Sequence, residues 1–128
     1  NVIMNTGNPE LTAEALKNTM PASVFSRSTE CHNQDKVSMG TISARDCIRV
    51  IELTEQVTAA SLLATAQAVK LRLQSGEIKK QILKPVEEVL QQVEDIFEMV
   101  VDDRPLEKEL RETVKLIQER HWRLNYVS

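Results

Sequence analysis

A chain of 128 residues, 41% hydrophobic and 27% charged, has the length and balance of about one soluble domain. Only 3% of its residues are aromatic and three are glycine, which argues against a small sheet protein and leans towards helices. A net charge of −3 argues against a nucleic-acid binder: Lys79, Lys80 and Lys84 cluster, but Glu77, Glu87 and Glu88 surround them, as on a solvated helix face.

Cys31 and Cys47 are too few for a disulfide framework and read as free thiols in a reducing compartment. The polar start, Asn1 to Asn8, has no apolar core of a secretory signal. The longest uncharged run, Gln56 to Val69, falls short of the roughly 20 residues that span a bilayer. A cytoplasmic protein without membrane contact is the expectation. A first residue of Asn1 rather than methionine suggests processing, an internal start or a fragment.

Residues 1–41 read as an irregular segment carrying an active-site-type loop. Gly7, Pro9 and Pro21 punctuate it, and a short helix from Pro9 to Met20 is expected, capped by Asn8 with Pro9 in its first turn. Pro21 to Ser38 lacks sustained periodicity and suits a loop that packs against something. Residues 42–128 read as the helical part. Apolar residues recur from Ile42 to Leu73 without glycine or proline until Gly76, which predicts one helix from about Met39 to Gln74. Its half from Val57 to Val69 is apolar or small on every side, the pattern of a helix buried all round. Two shorter helices cannot surround such a rod, so the chain is expected to belong to something larger.

Ser75-Gly76 ends that helix. A second helix is expected from Pro85 to Met99, with a weak lead-in from Ile78 and an apolar stripe of Val86, Val89, Leu90, Val93, Ile96, Phe97 and Val100. After the turn Asp102-Asp103-Arg104-Pro105, a third is expected from Leu106 to Leu124, with Glu107–Arg111 and Glu119–Arg123 pairs on its outer face. The fold class is all-α: one long buried helix plus two amphipathic helices.

Few residues suggest chemistry. Cys31-His32 with Asp35 has neither zinc-ligand spacing nor the geometry of an oriented nucleophile, so no metal site is expected. His121 reads as a packing residue and Trp122 as an anchor. The stretch Glu30-Cys31-His32-Asn33-Gln34-Asp35-Lys36-Val37-Ser38-Met39-Gly40-Thr41-Ile42-Ser43-Ala44-Arg45 stands apart. It sets amides and carboxylates before a long helix, where free backbone N–H groups suit an anion or carbonyl and Glu30 and Asp35 suit an amine. A capped helix start with surface polar residues accounts for the same composition.

The run His32-Asn33-Gln34-Asp35, followed by Val37-Ser38-Met39-Gly40-Thr41-Ile42-Ser43-Ala44-Arg45, closely resembles the aromatic amino-acid ammonia-lyases and the related 2,3-aminomutases. Pro21-Ala22-Ser23-Val24 and Asp103-Arg104-Pro105-Leu106 resemble the same family, so the likeness runs from about Pro21 to Leu106. The resemblance implies a helical homotetramer with a central bundle of long helices. It also implies a methylidene-imidazolone electrophile, made from an internal Ala-Ser-Gly, and no metal.

Residue by residue, Gln34 matches a position that is Gln in phenylalanine- and tyrosine-type enzymes and Glu in histidine-type ones. The resemblance therefore implies a phenyl or phenolic substrate. Glu30 matches a carboxylate placed near the electrophile and the substrate amine, so Glu30 and Gln34 are the implied catalytic residues. Asn33 is assigned substrate binding in a supporting hydrogen-bond role, and Cys31 packing. Ala22-Ser23-Val24, Ala60-Ser61-Leu62 and Gln74-Ser75-Gly76 all fail as the Ala-Ser-Gly, and Tyr126 is the only tyrosine. The family's tyrosine base and carboxylate-binding arginine belong to earlier parts of its chain. The expectation is a carboxy-terminal portion that is inactive alone and has the remainder of the same enzyme as its partner. Whether that enzyme is a lyase or an aminomutase stays open. The competing reading is a stand-alone helical interaction module.

Overall fold

A computed structural model describes residues 2–29, 31, 33, 37–77 and 83–119. Among these lie four α-helices: α1, Val2–Lys17; α2, Gly40–Gln74; α3, Lys84–Glu94; and α4, Glu107–Gln118. A short 3-10 turn, Ala22–Phe25, joins the first two. The all-α expectation holds, and α2 starts within one residue of the predicted position and ends on it. Its 35 residues make a rod of about 52 Å.

The described residues form two compact units, one over Val2–Thr54 and one from Glu55 onward. The boundary between these units falls inside α2, one continuous helix. The first unit also differs from the irregular segment expected. α1 begins seven residues before Pro9, which lies inside the helix instead of opening it, and Asn8 is no cap. An interior proline cannot donate a hydrogen bond to the carbonyl four residues back, which is why sequence rules start a helix there. Arg49 of α2 pairs with Glu14 of α1 at 2.8 Å and with Glu52 one turn on at 3.3 Å. Leu53 is fully buried in this unit and Ala22 nearly so.

The core of the second unit is Leu63 and Ala66 of α2 against Val93 and Phe97. Val89, Leu90, Ile96, Val100, Leu106 and Leu110 pack around it, half-buried. Ala59, Leu63 and Ala66 follow the i, i+4, i+7 spacing that lines one helix face, and the small alanines allow close approach. The all-round burial expected for Val57 to Val69 is only partly supplied by this chain: Thr58, Ser61, Thr65 and Ala68 are exposed. The chain's own packing covers one stripe of the rod.

α3 carries Pro85 in its first turn, as expected, but ends at Glu94, five residues short of Met99. Ile96 and Phe97 still donate their backbone N–H groups to the Val93 carbonyl, which closes the helix. Beyond them the chain leaves the helical path, so Phe97 reaches the core from a turn. Val86, expected in the buried stripe, is 43% exposed. At the other end of α2, Gly76 takes φ +76°, the left-handed conformation that terminates helices.

α4 starts at Glu107 with two glutamates in its first turn, where the helix dipole favours negative charge. The predicted Glu107–Arg111 pair forms at 2.8 Å, whereas Glu119 lies 3.8 Å from Lys115. Thr113, which the sequence pattern does not single out, is fully buried and donates its hydroxyl to the Glu109 carbonyl at 2.7 Å. The lead-in at Ile78 and the residues His121, Trp122, Arg123, Leu124 and Tyr126 lie outside the described residues.

Candidate functional site

The candidate segment leads into the start of α2, within the first unit. One side chain, that of Ser26, joins the stretch ahead of it to Val37. Ser26 Oγ donates to the Val37 carbonyl at 2.8 Å and accepts the Val37 N–H at 3.0 Å, across eleven residues of sequence. Both residues are half-buried. A single hydroxyl thus satisfies both backbone polar groups of Val37. Three residues later α2 begins: Ser38 Oγ accepts the Gly40 N–H at 3.3 Å, and Ser43 N–H donates to the Met39 carbonyl at 2.9 Å.

Cys31 takes φ +55°, the left-handed region that a residue with a Cβ rarely occupies, and is exposed. Asn33, the predicted supporting amide, is exposed in the same turn. Glu30 and Gln34, the predicted catalytic pair, lie outside the described residues, as do His32 and Asp35. Of the predicted site residues, therefore, the structure describes Asn33, as an exposed turn residue. Ser26 is the residue that sequence reasoning missed; no periodicity or spacing marks a serine whose partner is the backbone of a residue eleven positions away.

Among the described residues no three histidine, cysteine, aspartate or glutamate side chains are grouped to hold a metal ion. Nor is any described helix long and apolar enough to cross a membrane. An open groove of about 390 Å³ in the second unit is lined by Gln56, Glu107, Leu110, Arg111, Val114, Lys115 and Gln118.

The residues α1 through α3 match the family model described as aromatic amino acid lyase, over positions 2–95. The chain belongs to this family. Tyrosine ammonia-lyase of Cereibacter sphaeroides is 45% identical over 71 residues, which is 52% of this chain and 14% of that enzyme. Histidine ammonia-lyase of Natranaerobius thermophilus is 34% identical over 101 residues, 77% of this chain and 18% of that enzyme. The fold is similar to the crystal structure of histidine ammonia-lyase from Trypanosoma cruzi, with a TM-score of 0.75 at 29% identity over 88% of this chain and 21% of that one. This member of the aromatic amino acid lyases thus spans about a fifth or less of the length of the relatives it matches.

The resemblance implies a methylidene-imidazolone, and the residues present do not fit its formation. Ser23 is exposed in the 3-10 turn, Ser61 is exposed within helical α2, and Ser75 is exposed at the end of α2. None stands between an alanine and a glycine.

Proposed function

We propose that this chain is the carboxy-terminal helical portion of an enzyme that eliminates ammonia from an aromatic amino acid, and that it is inactive alone. The observation that carries the reading is the family match over residues 2–95, which contains the His32-Asn33-Gln34-Asp35 motif just ahead of the long helix α2. The reaction removes a proton from the β-carbon and expels the amine as ammonia, leaving an arylacrylate. Glu30 and Gln34 belong to the shell that holds the amine and leaving group, and Asn33 supports them. The electrophile, the base and the main substrate anchor come from the remainder of the enzyme. A homotetramer would cover the faces of α2 that this chain leaves open, such as those bearing Ile48 and Ile51. The free, exposed Cys31 and Cys47 agree with a cytoplasmic setting.

Within that reading, Gln34 favours phenylalanine or tyrosine. A specific observation favours a second version, with histidine as substrate: several matching relatives are histidine ammonia-lyases, including the human enzyme at 50% identity over 50 residues. An aminomutase would re-add the ammonia at the β-carbon. The test is a graft of residues 2–95 into the matching segment of the Cereibacter sphaeroides tyrosine ammonia-lyase. It is then incubated with tyrosine, phenylalanine and histidine, with chiral separation and mass detection of products. Retained arylacrylate formation is the expected result. A folded but inactive graft overturns the assignment, turnover of histidine alone overturns the reading of Gln34, and an accumulating β-amino acid identifies an aminomutase. The chain alone should form no product. A stand-alone interaction module predicts instead no activity in any graft.

A further inference from the structure

Val37 stands three residues before the first residue of α2, and its backbone has both of its polar groups engaged by one side chain. The Ser26 hydroxyl donates to its carbonyl at 2.8 Å and accepts its N–H at 3.0 Å. Ser26 follows directly on the 3-10 turn Ala22–Phe25, whose Ala22 is buried, and the Ser26 N–H itself donates to the Ser23 carbonyl at 3.2 Å. The anchor is therefore fixed on its own side as well. On the other side, Ser38 and Met39 start α2. The ends of the intervening segment are held together in the half-buried layer, while its turn at Cys31 and Asn33 is exposed and includes a left-handed residue. A strained turn of this kind persists when its surroundings over-determine it.

We propose that Ser26 is a positioning residue of the ammonia-lyase site: its hydroxyl sets the register of the segment carrying Asn33 against the N-terminus of α2. This rests on the function proposed above. The physical reason is geometric. Removing the hydroxyl leaves two backbone groups of Val37 seeking water, which lets the segment ends part. Displacement of a substrate-binding segment by about 1 Å can cost on the order of 100-fold in rate. Ser26 touches no substrate in this reading and acts through the segment it closes.

The test compares the parent graft with Ser26→Ala and Ser26→Thr in the same enzyme, and reads kcat and KM separately beside the melting temperature. Threonine keeps a hydroxyl at this position and alanine does not. The expected result is a fall in kcat of roughly 10-fold or more for Ser26→Ala in enzyme that is still folded at the assay temperature, and recovery of most of the rate in Ser26→Thr. A kcat within twofold of the parent for Ser26→Ala overturns the proposal. So does a loss of rate that follows the loss of folded enzyme, or a Ser26→Thr variant as slow as Ser26→Ala. Amide exchange at Val37 in the chain itself separates this proposal from the function it rests on. Exchange should be slow in the native chain and Ser26→Thr and fast in Ser26→Ala. If the parent graft is inactive while Val37 behaves as stated, the function fails and the clamp stands; if Val37 exchanges equally fast in all three, the clamp fails whatever the graft does.

Discussion

The side-chain amide of Gln67 pairs with the backbone of Val100 as a neighbouring strand would. Its Nε2 donates to the Val100 carbonyl at 2.9 Å, and the Val100 N–H donates to its Oε1 at 3.0 Å. α3 has already ended at Glu94, so the chain near Val100 has no helical partner for these groups. Gln67, half-buried on α2, supplies both. Gln67→Leu should destabilise the second unit by about 1–3 kcal/mol, because two backbone groups lose their partners at a part-buried site. Urea unfolding followed by helical ellipticity measures this. The Val100 amide should also lose its exchange protection, and an unchanged protection factor would show that the pair contributes nothing.

Phe97 is 3% exposed although it lies outside any helix. It closes the core against Leu63, Ala66 and Val93. Phe97→Ala should cost about 3–5 kcal/mol, a cavity penalty large enough to unfold a small unit. Phe97→Leu should cost much less. Equal urea midpoints for the two variants would mean that the site does not depend on filled volume.

The Arg104 guanidinium hydrogen-bonds the Glu109 carboxylate, which together with a backbone hydrogen bond at Glu109 holds that carboxyl below the usual glutamate range. Arg104 also donates to the Glu98 carbonyl at 2.9 Å, so it braces the turn ahead of α4. A carboxyl whose folded pKa is depressed adds stability above its ordinary pKa and loses it as pH falls through the folded value. Glu109→Gln should therefore cost about 0.5–1 kcal/mol at pH 7 and progressively less as pH drops below the ordinary glutamate pKa of about 4.3. Urea midpoints of the two proteins should converge in acid; a constant gap from pH 7 to pH 3 would contradict this.

Within the active graft, Glu30→Gln should lower kcat by roughly 100-fold if the carboxylate helps to hold the amine in the transition state. Gln34→Glu should shift the kcat/KM ratio towards histidine and away from tyrosine. Steady-state rates on both substrates test the pair, and unaltered ratios would remove Gln34 from the determinants of specificity.

The helical class and the extent of α2 were legible in the sequence, because a run of helix formers without glycine or proline admits little else and Ser75-Gly76 ends it. The motif around Asn33 pointed to the family by resemblance alone: read for their chemistry, the same amides and carboxylates also fit a capped helix start with surface polar residues. The end of α3 at Glu94 was not legible. Ile96, Phe97 and Val100 continue the helical spacing, while Gln67 on Val100 and Arg104 on the Glu98 carbonyl satisfy backbone groups of the chain beyond the helix. The early start of α1 was hidden by Pro9, since local rules place a proline in a helix's first turn.

What the sequence determined by itself is therefore local or periodic: helix content and the span of α2. What the tertiary structure decided is long-range. It chose which stripe of α2 this chain covers, put Thr113 in the interior, and joined Ser26 to Val37. Those outcomes depend on pairings between residues far apart in the chain, and no single stretch of sequence carries the energy of both partners.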